Sequence, residues 1–269
     1  MKNYTRLGMV GLLMVGLAGG AYLWWQGQQT AAPAAEAPSA VVVSMPQPVA
    51  SAPAEVPRIL HPITPELAAG DAPAKPPGLD SADTQTQQAL MGLLERKAVL
   101  TFFNLDDLVH RCVATVDGLA RGHATSRLWP VLPTPQKFLV TENSQGTFMD
   151  ERNAERYKPF VKFAVAIDPA AASAVYRRLY PLFQKKYEEL GYPRQYFNDR
   201  LVAVIDQLLD APLPTQPVRL ALPKIQSPYA ISSPWLRYEF TDADLESLPA
   251  GQKILIRMGH ANATQLQTW

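Results

Sequence analysis

Nineteen consecutive residues without a charge, Leu7–Trp25 (LGMVGLLMVGLAGGAYLWW), constrain this chain more than any other stretch. At about 1.5 Å per helical residue they span a hydrocarbon core of roughly 30 Å. Lys2 and Arg6 precede the run, and no Lys or Arg follows until Arg58. By the positive-inside rule residues 1–6 stay in the cytoplasm and the remainder crosses the membrane. Tyr22, Trp24 and Trp25 close the segment, where amphipathic rings favour the headgroup layer. The rival reading is a cleaved signal peptide, for which the small residues Gly19, Gly20 and Ala21 supply a site. The length of the run and its bulky Trp24–Trp25 exit oppose it and favour a retained single-pass anchor. Gly16 and Gly20 form a small-xxx-small pair, a route to a weak homodimer, although glycine is common in membrane helices for other reasons.

Residues 26–78 are a different polymer, rich in Ala and Pro. Each proline fixes φ and removes a backbone donor. Too little apolar bulk remains to offset the ordering of the chain, so a disordered linker is expected. Val41–Val43 and Ile59–Leu60 are its apolar islands. Spacer composition explains them more simply than partner-docking segments do.

Residues 79–269 are long enough for one core, and their pattern is mainly α, a helix-dominated α+β domain. A helix through Gln88, Leu90, Leu93 and Leu94 is expected behind Asp80 or Ser81. A second follows Asn104, with Asp106 and Asp107 in its first turn. Lys137–Val140 and Thr147–Met149 read as a hairpin, and Ala154–Ile167 as helix around or after Pro159. From Ala171, the residues Tyr176, Leu179, Tyr180, Phe183, Tyr187 and Leu190 share one helical face. Pro181 is expected to kink or split that helix, and Gly191 to stop it. Gln195–Leu209 buries Phe197, Leu201, Val204, Ile205 and Leu208. Val218–Leu222 and Leu236–Phe240 read as strands, Thr241 with Asp244 as a capping box, and Ile254, Leu255 and Met258 as the core side of a helix ending at Gly259.

Four stretches in order, VATVDGLARG at Val113–Gly122, YRRLYPLFQKKYEELGYP at Tyr176–Pro193, YFNDRLVAVIDQLL at Tyr196–Leu209 and LPAGQKILIRMG at Leu248–Gly259, resemble a bacterial family of uncharacterised proteins, the domain of unknown function family numbered 3014. The resemblance implies an N-terminal membrane segment, a Pro/Ala-rich tract and one domain. It implies no activity, cofactor or catalytic residue.

The formal net charge is +1, so no strong field draws nucleic acid or an anionic surface. The four histidines are scattered, no paired cysteines or HExxH occur, and no metal or cofactor is expected. Phosphate-loop, dinucleotide and GxSxG signatures are missing as well. Cys112, the one cysteine, lies on an apolar face with Leu105, Leu108, Val109 and Val116, which reads as a buried inert thiol.

Two clusters stand out as candidate binding residues. Asp117 falls near a helix C-terminus, where the dipole disfavours an anion. Arg121 is the first candidate to offset it and Arg127 the second, with His123 nearby. A turn-fixing ion pair is the plain explanation, and a ligand-facing Asp/Arg pair the functional one. On the helix that begins near Gln195, Tyr196, Asn198, Asp199 and Arg200 form the other cluster. Arg200 borders the apolar face and Asp199 points away from it. The stripe Tyr176, Tyr180, Phe183 and Tyr187 reads as core rather than a groove.

These features predict a non-catalytic, inner-membrane-tethered periplasmic module that binds an envelope protein or the cell wall. The rivals are a periplasmic hydrolase or transferase using Asp117, His110 and Asp199, and a structural assembly subunit that self-associates through its anchor.

Overall fold

In chain order the helices are α1 (Leu79–Leu93), α2 (Arg96–Phe102), α3 (Leu108–Leu119), α4 (Asn153–Val165), α5 (Pro169–Glu189), α6 (Phe197–Leu209), α7 (Ala243–Ser247), α8 (Ala250–Met258) and α9 (His260–Thr268). Four short strands, β1 (Val140–Asn143), β2 (Gly146–Met149), β3 (Arg219–Ala221) and β4 (Glu239–Phe240), form one antiparallel sheet in that order. The computed structural model describes residues 58–63, 79–223 and 234–269. The anchor Leu7–Trp25, the pair Gly16 and Gly20, the island Val41–Val43 and the rest of 26–57 lie outside the described residues. Among the described residues no helix is long and apolar enough to cross a membrane. The helix-dominated α+β class of the C-terminal region holds.

Helix α3 is the hub. Its apolar residues run almost all the way round, burying Leu108, Val109, Cys112, Val113, Val116 and Leu119. A helix with so little polar surface must be covered on several sides, and α1, α5, α6 and α8 pack against it. The closest approach uses Gly251 of α8. A Cβ there would stand 2.6 Å from Leu208 Cδ2 and 3.2 Å from the Leu119 carbonyl oxygen. Any larger residue would push α8 off both α3 and α6. A second, smaller core of Phe138, Val218, Leu220, Leu236, Phe240 and Ile256 joins the sheet to α8.

Cys112 is buried as its helical face implies, and burial pushes its thiol up to about 12. The nucleophilic thiolate is therefore scarce at neutral pH and shielded as well. A thiol reagent is expected to label the native chain very slowly and the denatured chain fully. Rapid labelling of folded protein would contradict the packing around α3.

Several boundaries differ from the sequence pattern, each for a local reason. Asp106 and Asp107 are not in the first turn of α3. Asp107 adopts a left-handed conformation (φ 49°), and the Asp106 amide donates to Asn104 Oδ1 at 3.3 Å. This turn delays the helix to Leu108. Helix α5 starts at Pro169 rather than Ala171, because Asp168 caps it by accepting from the Ala170 and Ala171 amides at 3.3 and 3.0 Å. Pro181 does not split α5, which runs unbroken over 21 residues. Its ring is exposed, and the buried side chains on both sides, Tyr176, Leu179 and Tyr180 before it and Phe183 and Tyr187 after it, outweigh one lost backbone bond. The cap of α7 is Asp242, one residue after Thr241, accepting from the Asp244 and Leu245 amides. Helix α8 does end before Gly259, where φ is +86°, but α9 follows at once.

Candidate functional site

The C-terminal end of α3 meets the N-terminal end of α6, and the polar groups singled out in the sequence gather there. Asp117 sits in the last turn of α3 and is buried. Its Oδ2 lies 2.6 Å from Arg121 Nη2, and its Oδ1 lies 3.0 Å from Arg200 Nη2. The same Arg200 nitrogen donates to the Asp117 main-chain carbonyl at 3.1 Å. That carbonyl is one of the acceptors a helix end leaves unpaired. Arg200 thus neutralises a badly placed anion and caps the helix that carries it.

Tyr192 completes the cluster. Its hydroxyl donates to Asp117 Oδ2 at 3.2 Å and accepts from Arg121 Nη2. Its ring stacks on Tyr187 at 4.6 Å between centroids. Tyr187 is itself buried, which pushes its phenol up to about 12. The Asp117–Arg200 contact joins residues 83 apart in sequence and locks α6 onto α3. Arg127, the second candidate partner, is exposed, and the place foreseen for it is taken by Arg200. His123 is half-buried, and burial followed by the nearby charge of Lys253 pushes its imidazole below its ordinary range.

The three residues just before Arg200 have different work. Residues 58–63, part of the proline-rich tract, lie across the start of α6. The Leu60 amide donates to both Asp199 oxygens at 3.1 and 3.2 Å, and the His61 amide to Asp199 Oδ1 at 2.7 Å. Asn198 Nδ2 donates to the His61 carbonyl at 2.9 Å, and the Ile63 amide to the Tyr196 hydroxyl at 2.8 Å. The Ile63 side chain packs against the main core, whereas Ile59 and Leu60 are 50% and 66% exposed. Contact is therefore made mainly through the backbone of the strap.

The acceptors are held from behind by the aromatic stripe of α5, which is core as expected. Asn198 is buried, and its Oδ1 accepts from the Tyr176 hydroxyl at 3.1 Å. Tyr180 lies 5.3 Å from Tyr196, centroid to centroid. Burial, and then its hydrogen bond with Tyr196, pushes the Tyr180 phenol well above its ordinary range. Gln184 Oε1 accepts from the Phe197 amide at 2.8 Å, satisfying a donor at the start of α6. A rigid wall of buried rings thus presents one amide, one carboxylate and one hydroxyl to a passing main chain.

The two sequence clusters prove adjacent but distinct. Asp117, Arg121, Arg200 and the unforeseen Tyr192 tie helices together; Tyr196, Asn198 and Asp199 hold a peptide. Arg200 and Asp199, neighbours in sequence, face different partners because successive helical residues differ by about 100°. His110 lies seven residues before Asp117, about 10 Å along α3 at 1.5 Å per residue.

Among the described residues no group of His, Cys, Asp and Glu is placed to hold a metal ion. No curated protein and no solved structure matches the chain. A family model does match, over residues 108–269, starting at the first residue of α3. It takes in Tyr196, Asn198 and Asp199 and leaves the strap outside. With more than half of its length matched, the chain belongs to the family described as Protein of unknown function (DUF3014).

Proposed function

We propose that this chain is a non-catalytic binding module of the bacterial cell envelope, tethered to the inner membrane by Leu7–Trp25. Its N-terminus is cytoplasmic and its domain periplasmic, with the linker 26–78 between anchor and domain. The charge asymmetry around the anchor supports that topology. The observation that carries the binding reading is the seating of residues 58–63 on Tyr196, Asn198 and Asp199. A surface that already holds a peptide backbone by charge-assisted and part-buried hydrogen bonds is equipped to recognise one. Asp117, by contrast, has its oxygens engaged by Arg121, Arg200 and Tyr192, as a structural tie requires.

The test is site-specific photo-crosslinking in native membranes. A photoreactive residue at exposed Gln195, on the rim of the α6 start, is expected to yield a discrete adduct with an envelope protein. The adduct should vanish when Asn198 and Asp199 are both changed to Ala. The same probe at exposed Lys162 on α4 is expected to yield none. Equal adducts from both positions, or an adduct that survives the double substitution, would refute a recognition face at α6.

A further inference from the structure

We propose that the start of α6 is a main-chain-reading groove for X-X-Pro-apolar peptides of a partner protein that bend at the two residues before the proline, and that Arg58–Ile63 is a built-in mimic of that ligand. The inference rests on the reading of the chain as a binding module and names what the module takes.

The pattern of donors along the strap defines the ligand. Leu60 and His61 each offer an amide to Asp199, and Ile63 offers one to Tyr196. Between them stands Pro62, which has no amide hydrogen. Pro62 is exposed, so an amide there would face water; what proline adds is a fixed φ, which lowers the ordering cost of seating the chain. The chain bends at Leu60 and His61, which brings their two successive amides onto the one carboxylate. One position later the Ile63 side chain packs onto the core. The ligand rule that follows is two free amides, a proline, and an apolar residue.

Asn198 makes this a constructed site rather than a helix terminus that happens to be covered. It is only 2% exposed, its carbonyl oxygen takes the Tyr176 hydroxyl, and its amide nitrogen is aimed outward at the His61 carbonyl. An amide held in that orientation needs an acceptor from outside the helix, and the strap supplies it. The exposed Ile59 and Leu60 side chains contribute little to the seat, so the strap is a modest ligand whose place an external peptide can take.

Connectivity decides how hard that replacement is. Residues 64–78, fifteen in all, join the strap to α1. A ligand carried on the same chain competes at an effective concentration on the order of 1 mM. A free peptide with an intrinsic dissociation constant of roughly 0.1 mM then binds the intact chain about tenfold more weakly than a chain lacking the strap. The strap therefore sets a threshold that weak, non-cognate segments do not pass.

The experiment uses the full chain in detergent micelles and a fluorescent peptide of the sequence of residues 57–64, read by anisotropy. A full chain with residues 58–63 replaced by a Gly/Ser segment is expected to bind the peptide, and the unaltered chain about tenfold more weakly. In the strap-replaced chain, Asp199→Ala and Asn198→Ala are each expected to weaken binding at least tenfold while thermal melting shows the domain still folded. A peptide N-methylated at the Leu60 and His61 positions, which removes both amide donors, should not bind. Failure of the folded, strap-replaced chain to bind the peptide overturns the proposal, as does binding that is indifferent to Asp199→Ala or to N-methylation. If the peptide fails while the Gln195 crosslink persists, the module reading stands and its ligand class is wrong. Peptide binding without any crosslink to another protein, or an adduct that proves to be a second copy of this chain, removes the partner and with it this proposal.

Discussion

Asp117→Ala is expected to destabilise the domain by about 2–4 kcal/mol, somewhat below the roughly 3–5 kcal/mol for breaking a fully buried charge pair, because both arginines are partly exposed. The loss is not the strength of one bond. Asp117 gathers Arg121, Arg200 and Tyr192, so the substitution takes one carboxylate from three donors, although Arg200 Nη2 keeps the main-chain carbonyl at 117. Arg200 fares worst. Its side chain is 30% exposed, and its Nε is already buried without a hydrogen-bond partner. With Asp117 gone, much of the guanidinium is left unpaired at a helix–helix contact. Arg121 is 56% exposed and turns to water, so Arg121→Ala is expected to cost less than about 1 kcal/mol, like other exposed pairs. Arg200→Ala falls between them at about 1–3 kcal/mol, since it also uncaps the Asp117 carbonyl. Urea titration of the three variants gives the order directly, and the double variant of Asp117 and Arg200 gives the coupling. A loss under about 1 kcal/mol for Asp117→Ala, with unchanged m-value, would show that the pair does not hold α3 to α6.

How much of this was legible in the sequence follows from the range over which each interaction acts. The stripe Tyr176, Tyr180, Phe183, Tyr187 and the face of Cys112 are local periodicities, and both came out buried. Arg121 was readable as the partner of Asp117 because it lies four residues on, one turn of helix away. Arg200 is not, although its position beside the apolar face leaves its fork for a carboxylate or an aromatic ring. Nothing local links two groups 83 residues apart. The strap was harder still. Ile59 and Leu60 drew notice as apolar residues, yet the structure leaves both exposed and engages their backbone and Ile63 instead. Main-chain donors are the same in every residue except proline, so hydropathy carries no sign of them. In the sequence Pro62 is one more proline that discourages regular structure, while its fixed φ suits it to the groove. Helix α2 went unseen because seven residues, RKAVLTF, are too few to show a period.

Phe197→Ala carries the largest expected penalty, about 3–5 kcal/mol, the range for truncating a buried aromatic to Ala. Phe197 is fully buried, stacks on Phe183 with centroids 5.9 Å apart and planes 6° apart, and leans on Tyr187 at 5.4 Å. It is also the first residue of α6, so these contacts fix the direction in which Asn198 and Asp199 leave the core. A cavity there loosens the Asp117–Arg200 tie and the strap seat together. At roughly 2–4 °C per kcal/mol for a domain of this size, melting is expected to fall by about 6–20 °C. Asp199→Ala supplies the contrast. It removes the acceptors for Leu60 and His61 and touches no core contact. Melting then shifts little, the loss staying within about 1 kcal/mol, while hydrogen exchange at the Leu60 and His61 amides accelerates to that of an open chain. Phe197→Ala should accelerate the same amides and the core together. If Asp199→Ala instead lowered melting as far as Phe197→Ala does, the strap would be part of the domain's core structure, and a groove that can exchange its occupant would be ruled out.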